Sequence, residues 1–155
     1  MNQTIVELPM FFIAGLAVRT INKDGQADKD IGNLWQTFTA NNMADMLEDR
    51  ESNELYCVYT DYESDHNDYY TAILGCKVTS IEYLPEGFTG KAIPASKYAV
   101  YTPEGTFPES IANTWKNIWQ AYINRKYTAD FDVYNVAGKS FQEIESKVYV
   151  AINNN

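Results

Sequence analysis

IPASKYAVYTPEGTFPESIANTWKNIWQAYI, residues 93–123, is the stretch whose reading decides the fold. It predicts a turn at Pro94, a strand over 97–101, a second turn over 103–105 and then an amphipathic helix. The helix follows from Ile111, Trp115, Ile118, Trp119 and Tyr122, which recur at the spacing that lines one helical face. Thr106 and Glu109 have the spacing of a capping box, and Pro108 falls in the first turn, where a missing N–H costs nothing. Two indoles on one face are a large apolar commitment, so the helix is expected to pack against something wide, most simply a sheet.

Composition narrows the classes around that element. A chain of 155 residues suits one domain with a real core, residues 1–155. Its 45% hydrophobic and 21% charged residues are ordinary, while 14% aromatic residues, including 12 Tyr, is high. A net charge of −9 argues against nucleic-acid binding, which rests on neutralising phosphates; it favours cationic partners or, in the commoner case, only keeps a protein soluble. Two cysteines, Cys57 and Cys76, are too few for a disulfide scaffold, so a reduced cytoplasmic setting is expected. The apolar run over residues 8–18 has no basic residue before it and is too short to span a bilayer, so neither a signal peptide nor membrane association is expected. Asn2-Gln3-Thr4 matches a glycosylation sequon, which has no meaning in a chain that is not secreted.

Read in order, residues 4–20 form a β-rich segment, broken or bent near Pro9 and Gly15. A polar loop ends at Asp28 or Asp30, either of which can cap a helix starting at Ile31 with Leu34, Trp35 and Phe38 on one face. Asn41-Asn42 can stop this helix, or Met43, Met46 and Leu47 can extend it. Strands follow over 54–62 and 69–83, then a turn-rich connection over 85–90. After the second helix come a strand over 131–136, a loop through Gly138, a strand over 147–152 and a frayed tail over 153–155.

The halves resemble each other. Ile31, Asn33 and Trp35 recur as Ile111, Asn113 and Trp115 at an offset of 80, Ala17-Val18 as Ala99-Val100 at 82, and the Val58-Tyr59 pair as Val133-Tyr134 at 75. The expected fold is therefore α+β. Duplicated strand-helix-strand-strand units, over about 4–83 and 93–152, form one antiparallel sheet with both main helices on one face and a ligand cleft near the axis.

Asp132 and Tyr134 alternate with Val133 and so share a side of their strand, and Cys57 and Tyr59 hold the corresponding places in the first half. A cation held there would gain about 0.5–2 kcal/mol per aromatic ring and one charge-assisted partner. The competing reading is an exposed sheet face with ordinary polar strand residues. Trp35, Trp115 and Trp119 belong to the core by position, and beside a cleft each can also present its ring to a ligand. The candidate ligand-binding set is thus Trp35, Tyr59, Trp115, Trp119, Asp132 and Tyr134.

No metal site or cofactor is expected. The acidic loop Asp61-x-Glu63-x-Asp65-x-x-Asp68 resembles the start of a calcium loop, yet lacks the sixth-position glycine and has Ala72 at the twelfth. His66 has no second imidazole with which to bind zinc, and serves in no nucleophilic triad unless its loop folds back over the cleft, for which the sequence gives no sign. Gly15, Gly75, Gly87 and Gly90 read as bulges or turns, and no phosphate loop is present.

The ordered pieces GLAVRT, IGNLWQTF, YCVYTDY, IPASKYAVYTPEG, IANTWKNIWQAYI, DFDVY and KVYVAI resemble the GyrI-like effector-binding domain of AraC-type and MerR-type regulators. The resemblance implies a pocket between the halves, lined by aromatics and a buried glutamate in a Glu-x-Tyr motif. That motif corresponds here to Asp132-Val133-Tyr134, one methylene shorter. It implies a bacterial, stand-alone module that binds amphipathic, cationic small molecules of the multidrug kind, since no room precedes the first strand for a DNA-binding domain. Two alternatives stay open. One is a hydrolase of strained or electrophilic molecules of the cyclopropanoid type, with Asp132 activating water and Tyr134 donating a proton. The other is an accessory partner of a regulator.

Overall fold

The computed structural model describes residues 3–154. Strand β1 (Gln3–Leu8) breaks at Pro9 and Met10, and β2 (Phe11–Thr20) then runs through Gly15 without interruption. The break at Pro9 is the expected one, because proline cannot donate to a ladder. Gly15 is no bulge. It pairs in register with Gly75, and a Cβ on either residue would lie 1.9–2.0 Å from a carbonyl oxygen of the opposite strand. The two glycines are therefore required by a close backbone approach.

Helix α1 (Gln26–Ala40) begins earlier than Ile31, after Gly25 in a left-handed conformation at φ 75. Asp28 and Asp30 consequently lie inside the helix and cap nothing. Asp28 sits in the first turn, where its charge opposes the helix dipole, and Asp30 accepts hydrogen bonds from Thr20 Oγ1 at 2.8 Å and Gln26 Nε2 at 2.9 Å. Asn41 and Asn42 do end the helix, Asn42 at φ 49, and a short 3-10 turn (Met43–Met46) follows.

Strands β3 (Leu55–Thr60) and β4 (Tyr70–Val78) complete the first unit. The connection after it contains an edge strand, β5 (Thr89–Ile93), that the sequence does not announce. Its residues TGKAI have little strand propensity, and pairing with β2 is what holds them extended.

The second unit is β6 (Ser96–Tyr101), α2 (Glu109–Gln120), β7 (Ala129–Asn135) and β8 (Glu145–Ile152). Thr106 and Glu109 do not form the expected capping box. The helix starts after Pro108, two residues later than that box requires, and the Thr106 carbonyl instead accepts the Ser110 N–H at 3.0 Å. Tyr122 lies beyond the helix end and is fully exposed. Asn153 is not frayed, because its N–H donates to the Asn124 carbonyl at 3.0 Å. Asn2 of the sequon and Asn155 lie outside the described residues.

All eight strands form one antiparallel sheet in the order β1-β6-β8-β7-β3-β4-β2-β5. Exchanging each strand with its counterpart four places along the chain reverses this order onto itself. The strand preceding each unit docks on the other one, β1 on β6 and β5 on β2. At the centre, β3 and β7 pair with Cys57 directly opposite Asp132, so the pseudo-axis passes between these two side chains.

Both helices cover one face, over Leu74, Cys76, Val148 and Val150. The other face has a core of its own, with Val58, Ile73, Tyr98 and Phe131. There Phe11 of β2 and Phe131 of β7 approach to 5.2 Å between ring centroids, although three strand spacings, about 14 Å in a flat sheet, separate them. The sheet is thus strongly curled about that face, and the helix-bearing face is splayed open.

Candidate functional site

Each helix presents two neighbouring stripes. On α2, Ser110, Thr114 and Ile118 are buried against the sheet, while Ile111, Trp115 and Trp119, one position further round, face the gap between the helices. On α1, Leu34 and Phe38 are buried, and Ile31, Trp35 and Thr39 face the same gap. The apolar face of each helix is therefore divided between core and cleft wall. The cleft has a volume of about 890 Å³, with central strand residues as its floor.

All six candidate residues line this cleft. Trp35 and Trp115 are half-buried. Trp119, placed in the core by its position in the sequence, is 38% exposed at the cleft rim, one position round the helix from the buried Ile118. The strand face beneath is not an exposed polar surface: Asp132 is 0% exposed and Tyr134 is buried.

Asp132 is the centre of the arrangement. Tyr59 donates its hydroxyl to Oδ2 at 2.5 Å, Tyr134 donates to the same oxygen at 2.9 Å, and Trp115 Nε1–H donates to Oδ1 at 2.8 Å. The rings are braced in turn. Trp35 meets Tyr134 edge to face at 4.9 Å, and Trp115 meets Tyr59 likewise at 5.3 Å. Burial raises the Asp132 pKa, against the lowering effect of the three hydrogen bonds, to about 6. Burial, followed by the Asp132 charge, pushes the Tyr59, Tyr134 and Cys57 pKa values up, so all three remain protonated donors near neutrality.

A second polar cluster, which sequence reasoning missed, closes one end of the cleft. Asp130 shares the side of β7 with Asp132 and is also fully buried. Its Oδ2 accepts from Arg125 Nη2 at 2.7 Å and from the Tyr62 hydroxyl at 2.6 Å, and its Oδ1 accepts the Ala151 N–H at 2.8 Å. Arg125 lies over the rings of Tyr127 at 4.3 Å and Trp115 at 5.9 Å. The alternation Asp130-x-Asp132-x-Tyr134 was the available signal, since two carboxylates on one covered face demand a partner.

The acidic loop does fold back over the cleft, contrary to the expectation from sequence. His66 stacks parallel to Trp119 at 5.9 Å, and its Nδ1 accepts from the Tyr127 hydroxyl at 3.2 Å while facing Arg125 Nη1 at 3.4 Å. Because an arginine only donates, Nδ1 carries no proton. Burial and then the Arg125 charge lower the His66 pKa. His66 is held there by stacking on Trp119 and Tyr127 and by Asn22 Nδ2, which donates to its carbonyl at 2.9 Å.

A further cavity of about 890 Å³ lies at the opposite face, where Glu51, Glu54, Lys77 and Lys147 mix both signs of charge around Tyr56 and Tyr149. No buried carboxylate faces it. Among the described residues no three His, Cys, Asp or Glu side chains group to hold a metal ion, and no helix is long and apolar enough to cross a membrane.

Comparison with known proteins places these features in context. The family model for Cass2, integron-associated effector binding protein, matches residues 4–152. The chain is 30% identical over 154 residues to the YobU protein of Bacillus subtilis (strain 168), covering 96% of each. Among solved structures, the integron cassette protein VCH_CASS2 from the mobile metagenome of Vibrio cholerae superposes with a TM-score of 0.76 at 27% identity, over 97% of this chain and 95% of that one. SAV2435 bound to tetraphenylphosphonium shares the fold with a TM-score of 0.79 at 15% identity, over 99% and 95%.

Proposed function

This chain belongs to the Cass2 family of integron-associated effector binding proteins, and from that premise we propose that it is a binding module for an amphipathic, cationic small molecule held between α1 and α2. One observation carries the reading. Asp132 is a fully buried carboxylate in an aromatic cleft, and among the described residues its hydrogen bonds come only from neutral donors. The neighbouring Asp130 is neutralised by Arg125, whereas among the described residues no basic side chain forms an ion pair with Asp132. A buried charge without a counter-ion is costly, and a cation entering between Trp35, Tyr59 and Trp115 would relieve that cost while contacting their rings. Trp119 and Tyr134 complete the proposed contact set.

The net charge of −9 favours approach of a cation and disfavours nucleic acid. That SAV2435 was solved with tetraphenylphosphonium makes this lipophilic cation the natural first probe. The hydrolase reading is weaker. Three of the roughly four acceptor positions of the Asp132 carboxylate already hold donors, which leaves little for activating water.

The test is a tryptophan-quenching titration with tetraphenylphosphonium and a panel of lipophilic cations. Saturable binding that is weakened in Asp132→Ala and Tyr134→Ala is expected, with unchanged ligand recovered by mass spectrometry. Absence of saturable binding, or binding by both variants unchanged from that of the native protein, would overturn the proposal.

A further inference from the structure

The following rests on the cleft being the ligand site. We propose that its Arg125 end is a donor subsite that takes a neutral hydrogen-bond acceptor of the ligand, a carbonyl oxygen, while Asp132 takes the cationic centre. The preferred ligand class is then an aryl-bearing cation with a carbonyl group about one indole width from its positive centre.

The donor inventory of Arg125 carries the argument. Its side chain is 4% exposed and lines the cleft. Of its five N–H groups, one on Nη2 reaches Asp130 at 2.7 Å and one on Nη1 points at His66 Nδ1 at 3.4 Å, a long contact. Nε is buried and has no hydrogen-bond partner among the described residues. A buried orphan donor is uncommon and costly, and it points to an acceptor supplied from outside the chain.

The surroundings hold the guanidinium in this position. Tyr127, at φ 57 in the left-handed region that aromatic residues avoid, lies under it at 4.3 Å. Trp115 separates the two poles, with its Nε1–H on Asp132 and its ring face toward Arg125.

Charge decides the kind of acceptor. Asp130 already neutralises Arg125, and Asp132 adds a negative charge nearby, so a carboxylate on the ligand would bring a further unbalanced anion into the cleft. A carbonyl oxygen accepts the free N–H groups without that cost.

The experiment measures affinities of the full chain for tetraphenylphosphonium, an aryl-alkyl trimethylammonium, its ketone and its carboxylate. Each is titrated against the native protein and Arg125→Lys, which keeps the charge and removes Nε and the planar fork. The ketone is expected to bind the native protein about tenfold tighter than the parent cation, with the carboxylate no tighter than the parent. In Arg125→Lys the ratio of ketone to parent-cation affinity should fall to about one. Equal affinity of ketone and parent, tighter binding of the carboxylate than of the ketone, or a ketone preference that survives Arg125→Lys overturns the proposal. If Arg125→Lys does not fold, the native series alone decides. Asp132-dependent binding of tetraphenylphosphonium without a ketone preference refutes this inference alone, whereas failure of every cation refutes the cleft reading too.

Discussion

Replacing Asp132 by Asn removes one charge from the cleft floor at almost constant volume. A cation about 6 Å from the carboxylate, at an effective dielectric of about 20, gains roughly 3 kcal/mol, so the variant should bind tetraphenylphosphonium about a hundredfold more weakly at pH 7.5. The pH dependence is more telling. With a folded pKa of about 6, the carboxyl is mostly protonated at pH 5, and native affinity there should fall about tenfold, with no further change above pH 7. Stability moves in the opposite sense. A carboxyl raised from 3.8 to about 6 lets the folded state bind a proton that the unfolded state has released. Native stability is therefore highest at low pH in this respect and falls by about 3 kcal/mol as pH rises across that window. Asp132→Asn should lack this loss, whatever the altered hydrogen bonds contribute as a constant offset. Tyr59, Tyr134 and Cys57 do not ionise in the range, because their pKa values are shifted up. His66, whose pKa is lowered by burial and Arg125, is present in both proteins, so the difference between native and variant is the Asp132 share. Calorimetric titration and urea denaturation at pH 5, 6 and 7.5 measure both effects. The reasoning fails if native affinity is independent of pH, or if Asp132→Asn keeps the native slope.

Trp115→Phe removes one of the three hydrogen bonds that lower the Asp132 pKa, so the midpoint of the pH–affinity curve should move above that of the native protein, as read by the same titration. Gly75→Ala drives a Cβ to 1.9 Å from the Ala14 carbonyl oxygen; a loss of about 3 kcal/mol or more in urea denaturation is expected, and unchanged stability would contradict the Gly15–Gly75 register. Arg125→Met strands the buried Asp130 charge and should cost about 3–5 kcal/mol, most of it regained in the Arg125→Met, Asp130→Asn double variant; equal stability of the two would show that the pair is not coupled.

Much of the scaffold is legible in local pattern. The spacing of Ile111, Trp115 and Ile118 announces α2, and the alternation around Val133 announces which β7 side chains share a face. The offset of 75 between Cys57 and Asp132 is the same relation that the sheet realises as a directly opposed pair at its centre. Pattern is less reliable at the ends of elements. Asp28 and Asp30 resemble caps and lie within a helix, Thr106 and Glu109 resemble a capping box and form none, and β5 has no strand signal at all. In each case a neighbouring strand or turn overrides a preference worth a kcal/mol or less.

The sequence by itself determined the fold class, the two helices over a duplicated sheet and the gathering of Asp132, Tyr134 and Tyr59 on one face, because a residue's direction along a helix or strand is set by a period of a few residues. Only the tertiary structure decided that Asp130 and not Asp132 receives the buried Arg125, that His66 folds onto Trp119, and that Trp115 is both cleft wall and donor to the carboxylate. The His66 contacts depend on its loop meeting Arg125 and Tyr127, 59 and 61 positions away, and the other two on a turn and a helix packing against β7. No local period encodes such meetings, and they set where charge is balanced and where it is left for a ligand.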